Sequence, residues 1–174
     1  MMFVLKGLLI LICLIIAGSL FVYYSVIYKQ NCVKKSYKLI DSLLQKRYAL
    51  ISSIISHIQS IYNNPSQISY ILGLRDEVMT MDSSYENLDR KFAFDGELST
   101  NMKSLIETLS NTDIQDNTEL SNIIQTYNDL DKKIKACGKI YNKNAKILRH
   151  AVDVFPSSFI SRLSRIKYAN SFKA

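Results

Sequence analysis

An unbroken run of 22 uncharged residues, Gly7 to Tyr28, constrains this chain more than any other feature. As a helix rising about 1.5 Å per residue it measures about 33 Å, which matches a hydrocarbon core of roughly 30 Å. Tyr23, Tyr24 and Tyr28 gather at its far end, where amphipathic rings favour the headgroup layer. A cleaved signal peptide would share Lys6, the apolar stretch and the small residues Ala17-Gly18-Ser19. Yet LFVYYSVIY follows at once, whereas a mature chain normally opens in polar sequence. The expectation is an uncleaved transmembrane anchor over residues 1–28.

Charge indicates which side the body occupies. Lys6 precedes the run, and Lys29, Lys34, Lys35 and Lys38 follow it closely. By the positive-inside rule the body lies in the cytoplasm. Cys32 and Cys137 suit a reducing compartment, and no glycosylation acceptor occurs.

Beyond the anchor the pattern is helical throughout. Val33, Tyr37, Ile40, Leu44, Tyr48, Ile51, Ile54 or Ile55, Ile58 and Tyr62 recur in steps of three and four, so the membrane helix is expected to run on into this one. Asn63-Asn64-Pro65 breaks it, and Ser66 is the expected cap of a second helix. That helix carries Ile71, Leu74, Val78, Met81, Tyr85, Leu88 and Phe92, and Asp95-Gly96 is its expected end. Leu98, Met102, Leu105 and Leu109 mark a third, and Ser110 to Asn117 a linker. Thr118 is expected to cap a fourth, with the stripe Leu120, Ile123, Tyr127, Leu130, Ile134, Cys137, Tyr141, Ala145, Leu148, Val152 and Phe155. Two successive four-residue steps, Cys137–Tyr141–Ala145, should locally unwind any supercoil. The chain has only 5 Gly and 2 Pro, too few for sandwiches, barrels or phosphate loops.

No stripe can be buried alone, so the fold expected is all-α: an N-terminal transmembrane helix continuing into an antiparallel up-and-down four-helix bundle, with a short C-terminal helix. Residues 29–156 form the bundle and 157–174 a basic tail, in which Phe159, Ile160, Leu163 and Ile166 share a face beside Arg162, Arg165 and Lys167. Residues 29–47 carry net charge +5, residues 48–138 carry −6 and residues 139–174 carry +7. Folded this way, both basic sections meet at the membrane. Lys29, Lys34, Lys35, Arg162, Arg165 and Lys167 are then candidate contacts to anionic headgroups.

The chemistry of an enzyme is not legible. His57 and His150 lack metal-ligand spacing, and no Cys pair has it either. Asp76, Glu77, Asp82, Glu86 and Asp89 fall off the apolar stripe and read as a solvated face. No nucleophile motif, phosphate loop or cofactor fingerprint occurs, and the basic stretches lack the stacking aromatics of a nucleic-acid surface. A non-enzymatic protein without cofactor, metal or nucleic acid is expected.

Two segments resemble the LemA family of bacterial membrane-anchored proteins. VKKSYKLIDSLLQKRYALISSII is similar to the family pattern V-x-x-A-W-x-x-I-D-x-x-L-K-R-R-[HY]-D-L-I-P-N-L-V. Val33, Tyr37 (for Trp), Ile40, Asp41, Leu44, Lys46, Arg47, Tyr48, Leu50 and Ile51 fall in register. YNKNAKILRHAVDVFPSS is similar to Y-N-x-x-V-x-x-Y-N-x-x-I-x-x-F-P, keeping Tyr141, Asn142, Val152, Phe155 and Pro156. Ala49, Ser52, Ser53, Leu148 and Arg149 depart from it, which puts any shared activity of those positions in doubt. The resemblance implies a helical bundle beside a bacterial cytoplasmic membrane and implies no reaction. The functions weighed are a scaffold or interaction module for a protein partner and, as alternative, a membrane-bound sensor whose bundle binds a ligand. Lys46-Arg47-Tyr48 and Tyr141-Asn142 are expected to meet across the bundle and fix its register.

Overall fold

The computed structural model describes residues 2–59, 64–82, 87–109, 117–154, 158, 161–162 and 171–172. Four helices account for nearly all of them: α1 (Met2–Ile58), α2 (Pro65–Thr80), α3 (Leu88–Thr108) and α4 (Thr118–Asp153). Among the described residues there is no strand. α1 runs unbroken for 57 residues, about 86 Å at the usual helical rise. Residues 2–21 are exposed throughout, and burial begins with Val26, inside the uncharged run. One 18-residue window of α1 has mean hydropathy 2.6 with none of it buried, so this helix is long and apolar enough to cross a membrane.

The helix boundaries differ from expectation in three places. Asn64, not Ser66, caps α2: its side chain accepts from the Gln67 N–H, Ser66 instead donates to Asn64 Oδ1, and Pro65 takes the first helical position. Asn117, not Thr118, caps α4 by accepting from the Leu120 N–H at 3.0 Å. Asp95-Gly96 does not end a helix; α3 runs straight through it. The break lies earlier, after Thr80, where Met81 turns to extended backbone. Met81 leads into Asp82-Ser83-Ser84, residue types whose side chains compete with the backbone for helical hydrogen bonds. Gly96 costs α3 about 1 kcal/mol against Ala, which the packing of α3 offsets.

The helices are joined by specific pairs. Along α1, Ser36, Arg47 and His57 meet Asn144, Asp131 and Glu119 of α4, so partner numbers fall as those of α1 rise. Tyr70 and Glu77 of α2 meet Glu97 and Arg90 of α3 in the same opposed order. Asp41 and Tyr48 of α1 meet Lys91 and Asp95 of α3, rising together. α1 and α4 share the largest interface.

Burial repeats every seven residues. On α1 the buried positions include Val26, Val33, Ile40, Arg47 and Ile54, and between them Tyr37, Leu44, Ile51 and Ile58. On α4 they are Ile124, Gly138, Ala145 and Val152, interleaved with Leu120, Tyr127, Ile134, Tyr141 and Leu148. Asp131, half-buried, fills the one missing step. The irregularity expected at Cys137–Tyr141–Ala145 therefore does not exist: Gly138, not Cys137, occupies the seam, because the ring of Phe172 fills the space its absent side chain leaves. Ile123, Leu130 and Cys137 lie beside the seam, partly buried.

Candidate functional site

Four charged residues stand where the seven-residue repeat calls for apolar ones. On α3 the repeat runs Leu88, Lys91, Asp95, Leu98, Met102, Leu105, and helical spacing turns Lys91 and Asp95 to the same face. On α1 it brings Arg47 inward beside Tyr48, and on α4 Asp131 one turn beyond Tyr127.

These residues form one centre where α1, α3 and α4 meet. The Arg47 guanidinium, 2% exposed, donates to Asp95 Oδ1 through one arm and to Asp131 Oδ1 at 2.8 Å through the other. Tyr48 Oη donates to the same Asp95 oxygen at 2.8 Å, and Lys135 pairs with Asp131 Oδ2 at 2.9 Å. The guanidinium carbon lies 6.0 Å from the centre of the Tyr127 ring. One and a half turns nearer the apolar end, buried Lys91 pairs with half-buried Asp41 at 2.6 Å. Three cations face three carboxylates here, so the centre is neutral. Arg47 Nε is buried without a hydrogen-bond partner.

Burial works against the Arg47 charge, but Asp95, with help from Tyr127 and Tyr48, outweighs it and lifts the pKa above its ordinary value. Burial first and the Asp95 charge second push the Tyr48 phenol far above the usual tyrosine range. Tyr48 thus stays protonated and serves as a donor. Burial also pushes Tyr127 up to about 12, against the opposing pull of Arg47. Such an arrangement holds helices in place. Among the described residues no group of three or more His, Cys, Asp or Glu is placed to hold a metal.

A second cluster lies nearer the apolar end. Phe92 of α3 stands edge-on to Tyr37 of α1 at 6.0 Å, to Tyr141 of α4 at 5.9 Å and to Phe172 at 4.6 Å between centroids. Asn142 holds Phe172 by its backbone: Asn142 Nδ2 donates to the Phe172 carbonyl at 2.8 Å, and the Phe172 N–H donates to Asn142 Oδ1 at 2.6 Å.

The structure also describes most of the positions singled out in the sequence. Val33, Tyr37, Ile40, Leu44, Tyr48, Ile51, Tyr141 and Val152 are core, and Leu50 packs against it. Arg47 and Asp41 belong to the charged centre, whereas Lys46 is exposed. The two motif segments do not pair as expected. The register that sets Arg47 beside Asp131 carries Tyr141 to the Tyr37–Phe92 cluster, and Asn142 meets the tail instead. Lys34, Lys35 and Arg162 are exposed, and Lys29 is half-buried with its amine on Ser25 Oγ. Phe155, Pro156, Arg165 and Lys167 lie outside the described residues, as do Phe159, Ile160, Leu163 and Ile166; Ser158, Ser161 and Arg162 between them are helical.

A model of the LemA family matches residues 36–174, which takes in both clusters and the tail. The chain belongs to the LemA family. No curated protein and no solved structure matches it. Within this LemA-family chain the two motif segments do different things. The first supplies core and one side of the charged centre, and the second supplies core and the anchor of Phe172. Sequence reasoning missed Lys91, Asp95, Asp131, Gly138 and Phe172. The signal for the first three was their place in the three-four spacing; for Gly138 it was the heptad it completes. Phe172 carried none.

His57 ties the far ends of α1 and α4 together. Its Nδ1 bonds the Ser53 carbonyl at 2.7 Å, and Nε2 lies 3.5 Å from Glu119. The carbonyl first, and Glu119 second, raise its pKa above the ordinary 6.5 despite some opposing desolvation. The stability it adds is therefore full below the ordinary value and is lost as pH rises through the folded one. In an NMR titration the His57 midpoint should lie above 6.5, and Glu119→Gln should move it only part of the way back. A midpoint below the ordinary value would contradict the bonding described.

Proposed function

We propose that this LemA-family chain is a single-pass membrane protein whose cytoplasmic helical bundle is a scaffold that engages a protein partner. The observation that carries this reading is α1 itself: one unbroken helix, exposed and almost uncharged over residues 2–21 and then core to the bundle from Val26 onward. Twenty such residues span about 30 Å, the thickness of a hydrocarbon core. A span without a hinge would hold the bundle at fixed height and angle to the lipid.

The finer picture belongs to the same proposal. Residues 1–28 are the anchor, 29–156 an antiparallel up-and-down bundle with a supercoiled seam, and 157–174 a basic tail. The membrane is a bacterial cytoplasmic one, with the bundle inside and Lys29, Lys34, Lys35, Arg162, Arg165 and Lys167 toward anionic headgroups, each worth up to about 1 kcal/mol when close. The interior of the bundle is spent on packing and a neutral charge centre, which favours binding over catalysis. The sensor alternative draws on the same unbroken helix, which would carry a ligand signal from bundle to span; a ligand-dependent rise in melting temperature of the full chain would favour it.

Carbonate extraction of bacterial membranes tests the anchor. The full chain should stay in the pellet, its bundle protected from protease in intact spheroplasts, while Leu11→Asp with Ile15→Asp should release it. Release of the wild-type chain by carbonate would overturn the membrane reading, and digestion in spheroplasts would reverse the orientation.

A further inference from the structure

The geometry points to a site for one anionic phospholipid in the groove between α1 and α4, with Lys29 on its phosphate and Ala151 and Val154 beside its chains. The site rests on the reading of residues 1–28 as a membrane anchor and gives the base of the bundle a lipid partner.

The groove has a volume of about 350 Å³ and is lined by Lys29, Ile147, His150, Ala151 and Val154. Its height follows from the pair Ser36 and Asn144: from there α1 leads back to the span over the same turns in which α4 runs on to Val154. The groove therefore opens where the uncharged run ends, at Tyr28 and Lys29. In a bilayer that is the headgroup layer. The end of the tail lies elsewhere. Asn142 holds Phe172, and Ala151, about two and a half turns further along α4, faces the opposite way.

Lys29 is a half-buried cation without an acidic partner. Its amine donates to Ser25 Oγ at 2.7 Å, which draws it one turn toward the span, and no carboxylate pairs with it among the described residues. One hydroxyl leaves two of its three donors for another acceptor. The turns at this height, 25–36 of α1 and 144–154 of α4, carry Lys29, Lys34, Lys35, Lys146 and Arg149 against a single acid, Asp153. Asp153 lines the neighbouring groove with Asn142 and Ser171, not this one. Asp89, the first acidic residue of α3, is also remote: it precedes Lys91 by two residues, and Lys91 meets Asp41, about three turns of α1 beyond Lys29.

The missing anion is most simply a lipid phosphate. A carboxylate on a soluble partner would have to leave water to reach this height, whereas lipid phosphates already stand there. The apolar lining agrees. Ile147 and Val154 are 42% and 45% exposed although they flank a cation. Val154 leads down to the exposed apolar surface of α1, so a ligand anionic above and apolar below fits the whole groove. His150 can donate a second hydrogen bond to the phosphate.

The test is lipid retention by the full chain in dodecyl maltoside, read by native mass spectrometry with phosphatidylglycerol or phosphatidylcholine of identical chains. The wild type should keep one phosphatidylglycerol per chain, preferred at least about fivefold over phosphatidylcholine. Lys29→Gln should bring the two lipids close to parity. Ala151→Glu, which sets a carboxylate in the groove with Lys29, should reach the same result by a second route. Lys34→Gln with Lys35→Gln removes more charge, but outside the groove, and should leave the preference intact. Excess glycerol 3-phosphate should not displace the lipid, because it lacks the chains. Equal retention of both lipids by the wild type would overturn the site. So would an equal loss from the Lys34 and Lys35 variant, which would mean diffuse attraction to a basic surface. Displacement by glycerol 3-phosphate would overturn a lipid as the ligand. Carbonate extraction does not depend on Lys29, so the site and the anchor fail separately.

Discussion

Asp95→Ala should destabilise the bundle by about 3–5 kcal/mol, which for a chain of this size lowers the melting temperature by about 10 °C. The cost does not come from losing attraction alone. Asp95 is 2% exposed and accepts from both Arg47 and Tyr48. Without it a buried guanidinium keeps only Asp131, which Lys135 also claims, and a buried phenol loses its acceptor. Replacing both partners should behave differently. In Arg47→Met with Asp95→Leu no buried charge is stranded, since Asp131 retains Lys135, and although the Tyr48 phenol still lacks its acceptor, stability should return to within about 1–2 kcal/mol of wild type. Thermal melts of the full chain in mild detergent followed by circular dichroism give both numbers. A single variant that loses less than about 1 kcal/mol would mean that water reaches Arg47 and the centre is not sealed.

That contrast bears on why charge sits in the seam at all. Apolar residues at these positions would bury well but would pack almost as favourably after a slip of one heptad. Arg47 meets Asp95 and Asp131 in only one alignment of three helices, and Lys91 meets Asp41 in the same one. The register is thus specified at some cost in stability. Crosslinks between cysteines placed at Ser36 and Asn144, adjacent in the native alignment, should become heterogeneous in the double apolar variant.

The same residues explain what could be read from the chain. The apolar stripes of α1 and α3 were legible because burial follows the helical period, and Val33 through Ile58 and Leu98 through Leu109 are buried as their spacing implies. Lys91, Asp95 and Asp131 were not, since a charged side chain in one sequence reads first as solvent-facing; only its partner on another helix makes it interior. Asp95-Gly96 misled for a related reason. As a dipeptide it is a turn signal, but the salt link from Asp95 to Arg47 lies 48 residues away. Gly138 was misread because its space is filled by Phe172, 34 positions later in the chain, across sequence that carries no pattern pointing back to it. Local period sets the helices; long-range pairs decide which polar residues they enclose.

Phe92→Ala should be nearly as damaging, about 3–5 kcal/mol, for the opposite chemical reason. Phe92 is 4% exposed and is the ring common to all three edge-on contacts, with Tyr37, Tyr141 and Phe172. Truncation removes its transfer energy, opens a cavity among three rings that cannot collapse together, and forfeits edge-to-face terms of about 0.5–1.5 kcal/mol each. Phe92→Leu keeps much of the volume and none of the ring geometry, and should cost about half as much. The two variants should also separate in a second measurement. With the ring gone, Phe172 keeps Asn142 but loses its closest partner, so the C-terminus should become sensitive to carboxypeptidase under conditions where α4 remains helical. Asp95→Ala, matched to the same loss of stability by choice of temperature, should leave the C-terminus protected until the bundle melts, because its damage lies across the seam and Phe92 still holds the tail. If both variants expose the C-terminus together, Phe172 is held by the general integrity of the bundle and not by this cluster.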